Sequence, residues 1–272
     1  MDALLALLFG LLIGSFLNVC IHRWPRGRSV VRPRSHCVRC RKTIAWYDNI
    51  PVVSYLLLGG KCRYCGKHIS IRYPLVELAT GLFFFFFVWK LGLTLAAAKW
   101  CVFAAILIAL IFSDLEKRLL PDQLTIGGMV IGLAFALAVP LNDATTGPIL
   151  WLLGINFDGR AEWMVDAAVG AIVPSLFLFL GGWLYEKVRH KEGLGFGDVK
   201  LMAMIGSFLG VQPTLLTLLA GSVLGSVVSM IYIYAAKKDA ASYELPFGSF
   251  LGAAALLVAI GGPGLLGWYG GI

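Results

Sequence analysis

Apolar residues in this chain run in long stretches and do not form amphipathic stripes. A helix of about 20 apolar residues is long enough to cross the hydrocarbon core of a bilayer. We therefore predict an all-α protein, a polytopic transmembrane helix bundle of about eight spans. The spans are expected at roughly 3–21, 74–90, 97–113, 123–140, 164–184, 199–211, 214–235 and 247–268.

The first stretch has the length of a signal peptide but lacks its other features. No basic segment precedes it, no small-residue cleavage site ends it, and the polar residues Asn18 and His22 follow directly. We interpret it as a retained first span, residues 1–21. The chain then divides into a polar insertion, 22–73, and a membrane-embedded remainder, 74–272.

Composition and charge support this class of protein. Hydrophobic residues make up 59% of the 272 residues and charged residues only 14%, whereas soluble domains carry about 25% charged residues. Segment 22–72 holds 12 of the 23 Lys and Arg residues, and the loops on the same predicted side hold eight more. The positive-inside rule places that side in the cytoplasm. The net charge of +8 then reflects topology and contact with anionic lipid headgroups, not nucleic-acid binding.

Four cysteines in the insertion form two C-x-x-C pairs. Two such pairs can supply four thiolates to a tetrahedral zinc ion. Two disulfides are the alternative, which a reducing cytoplasm disfavours. Four protein ligands leave no open coordination position, so the expected zinc is structural, and it would help a weakly apolar segment of about 50 residues to fold. The predicted ligands are Cys37, Cys40, Cys62 and Cys65.

Several acids lie near the predicted cytoplasmic ends of spans, where ionisable groups are costly and are functional candidates. Asp122 follows Pro121 at the start of a span, and helix capping is its favoured interpretation. Asp198 also begins a span, but it follows glycines at 193, 195 and 197, which favour an open, non-helical backbone. Asp114 ends a span, where the helix dipole disfavours a carboxylate.

Asp114 and Asp198 are therefore candidates for a two-carboxylate site. Two carboxylates in a low-dielectric site share one proton, because both cannot ionise cheaply. The ionised group can take a proton from water while the protonated one polarises a scissile carbonyl. Unrelated capping and ion-pairing acids, such as Asp198 with Lys200, are the alternative. Two other function classes are also open, a transporter with acids as proton relays and a zinc-stapled membrane scaffold.

The sequence resembles a known family. The segment Gly195-Phe-Gly197-Asp198-Val-Lys200-Leu201 is similar to the signature of the type 4 prepilin peptidases, which share a G-x-G-D pattern with other intramembrane aspartic proteases. Similarity continues in order along most of the chain. It includes Gly14-Ser-Phe-Leu-Asn18, Asn49-Ile-Pro51, Gly59-Gly-Lys61-Cys62, Arg72-Tyr-Pro-Leu-Val-Glu77, Leu119-Leu-Pro121-Asp122 and Pro246-Phe-Gly248.

The resemblance implies a function and residues that perform it. It implies that Asp114 and Asp198 are the catalytic pair, although Ser113 stands where the family usually has Ile. It implies an enzyme of the bacterial inner membrane whose substrates are prepilins and type II secretion pseudopilins, cut on the cytoplasmic side. It also implies N-methylation of the new amino terminus with S-adenosylmethionine as methyl donor, and Gly60 and Lys61 match positions implicated in that step.

Leader recognition gives a further expectation. The family's leaders are basic, and so is the cytoplasmic face predicted here, so bulk charge should not attract them. We expect local acids to contribute, the candidates being Glu116, Asp122, Glu186 and Glu192.

Overall fold

The structure is a computed structural model that describes residues 1–141, 146, 159–190, 194–236 and 246–269, with the backbone alone for 236 and 262–269. Trp151, in a predicted outward loop, lies outside these ranges, as do Glu192 and Gly193. The regular secondary structure of the described residues is helical, with no β-strand and two isolated β-bridges. Their helices are α1 (Asp2–Arg23), α2 (Val53–Leu57), α3 (Arg72–Leu91), α4 (Leu95–Lys117), α5 (Asp122–Ala136), α6 (Arg160–Arg189), α7 (Phe196–Leu209), α8 (Val211–Ala236) and α9 (Phe247–Tyr269).

All eight predicted spans correspond to helices, so the all-α prediction is confirmed. Five of these helices, α1, α3, α4, α6 and α8, are long and apolar enough to cross a membrane. Helix α5 and the part of α9 up to Gly261 are shorter apolar helices. Helix α7 has 14 residues, which is about 21 Å of helix and less than the roughly 30 Å of hydrocarbon.

The chain forms two compact units, Met1–Ser113 and Asp114–Ile272. In the first unit α1 packs against α3, and small residues set the distance between the two helices. A methyl group on Gly14 would lie 2.6 Å from the Cα of Glu77, so no larger residue fits there. The buried Asn18 side chain donates a hydrogen bond to the carbonyl of Tyr73 at 3.0 Å. The insertion's two short 3₁₀-helices, Trp24–Arg26 and Trp46–Asn49, also belong to this unit.

Helix α7 forms the centre of the second unit and packs against α5, α6, α8 and α9. Its side chains Leu201, Met202 and Phe208 are fully buried. A methyl group on Gly206 would strike the Gly170 carbonyl of α6 directly. Because neighbouring helices cover α7, it can remain short and apolar on most of its surface.

Candidate active site and metal centre

Asp114 lies in the last turn of α4 and is 5% exposed. Ser249, in the first turn of α9, donates two hydrogen bonds to Asp114 Oδ2, from its backbone N–H at 2.6 Å and from its hydroxyl at 2.7 Å. The first N–H groups of a helix lack intrahelical acceptors and favour a nearby anion. The N-terminus of α9 thus supplies the stabilisation that Asp114 cannot obtain from its own helix.

Asp198 is the third residue of α7 and is half-buried. Its carboxylate meets the same end of α9, because Oδ1 lies 3.1 Å from the position of a methyl group built on Gly248. Asp114 and Asp198 therefore contact adjacent residues of α9, Asp114 at Ser249 and Asp198 at Gly248. The structure therefore brings the two acids together at the start of α9.

Leu120 completes the packing around the acid pair. A methyl group on Gly248 would lie 3.0 Å from Leu120 Cδ1, and one on Gly197 would lie 3.4 Å from the same side chain. The glycines at 197 and 248 thus leave room for Leu120 beside the Asp198 carboxylate. Gly197 is helical, which corrects the prediction of an open backbone up to Asp198, because α7 already starts at Phe196.

The interpretation of Asp122 as a helix cap is wrong. Pro121 is the N-cap residue of α5 and no side chain caps the helix. The Asp122 carboxylate instead accepts a 2.7 Å hydrogen bond from Lys200 Nζ. The alternative ion pair of Lys200 with Asp198 is therefore not formed, and Lys200 links α7 to α5.

Glu77 had no clear role in the sequence. It is buried, and its Oε2 accepts a 2.8 Å hydrogen bond from the backbone N–H of Val52. Val52 has φ 61°, a conformation that a β-branched residue rarely adopts and that costs roughly 1–3 kcal/mol. The buried carboxylate thus holds a strained residue of the insertion.

The four insertion cysteines form one cluster. Their sulfur atoms all lie within 4.8 Å of one another, with Cys37 to Cys65 at 3.9 Å and Cys40 to Cys62 at 4.0 Å. These separations are too long for disulfides, whose sulfurs lie about 2.05 Å apart. A tetrahedral zinc ion with bonds of about 2.3 Å separates its ligand sulfurs by roughly 3.8 Å. The thiols therefore fit the predicted zinc ion.

The two C-x-x-C segments have the same backbone arrangement. The N–H of Cys37 donates to the carbonyl of Lys42, and the N–H of Cys62 donates to the carbonyl of Lys67. The backbone N–H groups of Cys65 and Tyr64 lower the pKa of the Cys62 thiol to about 7. At Cys65 the lowering by the backbone N–H of Lys67 is outweighed by desolvation and the neighbouring cysteine thiols, which raise the pKa of Cys65 to about 11. The first of these thiols thus favours the thiolate that a metal requires, and a bound cation would favour it in the second.

Gly60 and Lys61 lie just before the second C-x-x-C segment. Gly60 is buried with φ 67°, and a methyl group there would lie 3.0 Å from the Tyr55 ring. Lys61 is exposed. The glycine is needed for the turn and for the close approach of Tyr55, and this contact gives it a structural role.

Two residues of the acid site, Gly248 and Ser249, were not among the candidates predicted from sequence. The motif Pro246-Phe-Gly248 marks the start of the last span, but a hydrogen bond across 135 positions leaves no local pattern. The one available signal was that a helix N-terminus attracts anions.

Two family models match, the bacterial peptidase A24 N-terminal domain over residues 8–91 and the type IV leader peptidase family over residues 101–230. No match was found among solved structures.

Curated relatives extend the similarity to nearly the whole chain. A prepilin leader peptidase/N-methyltransferase of Myxococcus xanthus is 41% identical over 86% of this chain and 64% of its own length. Proteins of the same name from Pseudomonas putida and Pseudomonas aeruginosa are 34% and 35% identical over 95% of this chain and 90% of their own length. The chain spans less than two thirds of the Myxococcus protein but most of the other two. With both family models matched in order and the paired acids within the second, this chain belongs to the type IV leader peptidase family.

Proposed function

We propose that this protein is a membrane endopeptidase that removes the leader peptides of type IV prepilins and type II secretion pseudopilins. Asp114 and Asp198 are the proposed catalytic pair. The observation that carries the proposal is their meeting at the N-terminus of α9, where Ser249 donates two hydrogen bonds to Asp114 and Asp198 lies against Gly248.

The proposed mechanism follows from the unequal surroundings of the two acids. The two hydrogen bonds to Asp114 favour its ionised form, so the shared proton belongs on Asp198. Asp114 then takes a proton from a water molecule, whose oxygen attacks the scissile carbonyl carbon. Asp198 donates a hydrogen bond to the carbonyl oxygen as negative charge develops there. Collapse of the tetrahedral intermediate breaks the C–N bond, and the leaving nitrogen takes up the proton that Asp114 received from the water molecule.

We further propose that the protein N-methylates the amine that cleavage exposes. The names of the curated relatives support this second activity. S-adenosylmethionine would supply the methyl group. The four-cysteine cluster would hold a structural zinc ion within the insertion, and Gly60 and Lys61 remain predicted methylation residues.

The proposed location is the bacterial inner membrane, with the insertion and the acid site on the cytoplasmic side. The distribution of Lys and Arg between loops supports this orientation, and the five long apolar helices support a multi-pass protein. The proposed division is a first span at 1–21, a zinc domain at 22–73 and a peptidase domain at 74–272. Membrane lipid would cover the outer helix faces. Glu116, Asp122 and Glu186 are exposed and remain candidates for leader recognition.

Substitution of the two acids tests the peptidase proposal. Asp114→Asn and Asp198→Asn should each abolish cleavage of a purified prepilin, while expression and zinc content stay unchanged. Glu162→Gln, a neutralised acid at the start of α6, is the matched control and should cleave normally. Substantial cleavage by either Asn variant would exclude the assigned pair, whereas absence of cleavage by the unmodified protein would favour the scaffold or transporter alternatives.

A further inference from the structure

The longest uncharged run of the insertion is residues 49–60, and the rest of segment 22–72 carries all 12 of its Lys and Arg residues. An apolar run of roughly 10–14 residues is too short to span a bilayer and is typical of a buried helix or of a segment that dips into the membrane interface. Helix α2 lies within this run, and its side chains Val53, Leu56 and Leu57 are 48%, 70% and 82% exposed. The run is therefore not a buried helix.

The start of α2 lies beside the long helices of the first unit and not beyond their ends. The backbone N–H of Val52 donates to Glu77 Oε2 at 2.8 Å, and Ser15 of α1 hydrogen-bonds to the same carboxylate. The Cα of Glu77 lies 2.6 Å from the position of a methyl group built on Gly14. Helix α1 ends at Arg23, about 14 Å of helix beyond Gly14. Val52 therefore lies beside the half of α1 that leads into the insertion.

The backbone of this run has its hydrogen bonds inside the protein. Ahead of α2, the N–H of Ile50 donates to the Ser54 hydroxyl at 3.0 Å, and that of Val52 donates to Glu77. Carbonyls of residues 50–58 accept hydrogen bonds from the N–H groups of Val53, Ser54, Leu56, Leu58, Gly59, Gly60 and Lys61. Backbone that enters a bilayer without spanning it is tolerated only where protein groups satisfy it in this way. The run meets that condition while its leucine side chains point outward.

The charge around the run is complementary to an anionic bilayer surface. Asp48 is the one acid among residues 22–72, and it accepts hydrogen bonds of 2.8 and 2.6 Å from Arg63. The insertion is therefore strongly positive, and Lys and Arg beside a membrane attract its negative headgroups. Trp46, just before the run, is 76% exposed, and tryptophan is enriched at the level of the headgroups.

Depth decides what covers the exposed leucines. In the same half of α1, Leu12 and Phe16 are 59% and 49% exposed, and apolar side chains on the outside of a membrane helix meet lipid. Resting on the membrane orientation proposed above, we propose that residues 50–58 are embedded in the cytoplasmic leaflet. Leu56 and Leu57 contact its hydrocarbon, and the cations of the insertion contact its anionic headgroups. The bilayer itself is thus the partner of this surface, and the hydrogen bond from Val52 to Glu77 fixes the depth of the segment.

Photolabelling of the unmodified full-length protein in lipid nanodiscs tests the embedding. The probe is a phospholipid with a diazirine midway along one acyl chain, and peptide mapping by mass spectrometry locates the label. It should be found on the peptide that contains Leu56 and Leu57, and on the exposed face of α1 at Phe9, 57% exposed, which shows that the probe works. Val38, in the first C-x-x-C segment, is 61% exposed and should stay unlabelled. Label at Phe9 without label at residues 50–58 would overturn the proposal.

A charged substitution gives a second readout. Leu57→Asp should lower acyl-chain labelling of residues 50–58 roughly tenfold, because a charged side chain is costly in hydrocarbon. Since Leu57 is 82% exposed, this variant should fold and keep its zinc content. Val38→Asp is the matched control, a charge placed on an exposed apolar residue of the insertion outside the run, and it should leave the labelling of residues 50–58 unchanged. Undiminished labelling of Leu57→Asp would overturn the contact of Leu57 with hydrocarbon.

Other occupants of this surface and a reversed orientation give different results. If a second copy of the chain covered Leu56 and Leu57, nanodiscs that hold a single copy would expose them to a water-soluble oxidising probe, and this result would overturn the proposal. Orientation is read separately with a membrane-impermeant amine reagent on sealed right-side-out vesicles. Modification of Lys42 there would overturn the proposed cytoplasmic orientation, whereas the acyl-chain label reports embedding in whichever leaflet lies on the side of the insertion. The peptidase proposal depends on neither measurement and is tested by the cleavage assay.

Discussion

Replacement of Ser249 by Ala removes the hydroxyl that donates to Asp114 and keeps the backbone N–H that donates to the same oxygen. A hydrogen bond to a charged group contributes about 1.5–3 kcal/mol. Full loss of that amount in the transition state would slow the reaction roughly 10- to 150-fold. Because the backbone donor remains, we expect the lower end, about a tenfold fall in kcat.

The assay is steady-state cleavage of a prepilin in detergent, with kcat and KM measured separately. Ser249 donates to the Asp114 carboxylate, so the substitution should lower kcat and leave KM nearly unchanged. Ser226→Ala is the matched control, since that exposed hydroxyl bonds only to the Ser222 carbonyl within α8. A Ser249→Ala enzyme with the kcat of the unmodified protein would refute the assignment of Asp114 as the ionised member of the pair.

Three further predictions concern packing, metal and strain. Gly206→Ala adds a methyl group that collides with the α6 backbone, and it should destabilise the protein by about 1–3 kcal/mol, measured as a lower unfolding temperature. Gly127→Ala, whose methyl group points into open space, should leave the unfolding temperature unchanged. Cys62→Ser should reduce the zinc content, measured by metal analysis of the purified protein, from about one ion per chain to a small fraction of that. Cys20→Ala, at a buried cysteine of α1 outside the cluster, should leave the zinc content unchanged. Val52→Gly relieves the strain of a positive φ at a β-branched residue and should raise the free energy of unfolding by about 1 kcal/mol. A lower unfolding temperature in this variant would show that Val52 is not strained.

The helices could be predicted because each span is a long apolar run, and bilayer thickness limits the length of such runs. Helix α7 was assigned as a short span for the same reason, and its burial explains why it tolerates that length. Helix α2 was not predicted. The insertion has little apolar content, and its local structure is organised by the cysteine cluster and by long-range hydrogen bonds such as Val52 to Glu77.

The two acids could be predicted as functional residues because a charged side chain near lipid is energetically costly, so such residues usually have a function. What surrounds them could not be predicted in the same way. The capping role of Asp122 was wrong because local propensity lost to an ion pair with Lys200, 78 positions away. Ser249 was missed because its contribution comes partly from a backbone N–H, and any residue except proline carries that group.

The chemistry of the two proposed reactions requires them to occur in one order. An amide nitrogen delocalises its lone pair into the carbonyl and is a poor nucleophile, so the substrate nitrogen can accept a methyl group only after the peptide bond is broken. The residues assigned to cleavage lie in the second unit, and the predicted methylation residues Gly60 and Lys61 lie in the first. Methylation should therefore depend on cleavage, whereas cleavage should not depend on methylation. Loss of either proposed catalytic acid removes the nucleophile that methylation needs, whereas substitution of Lys61 should leave an intact peptidase that releases an unmethylated product.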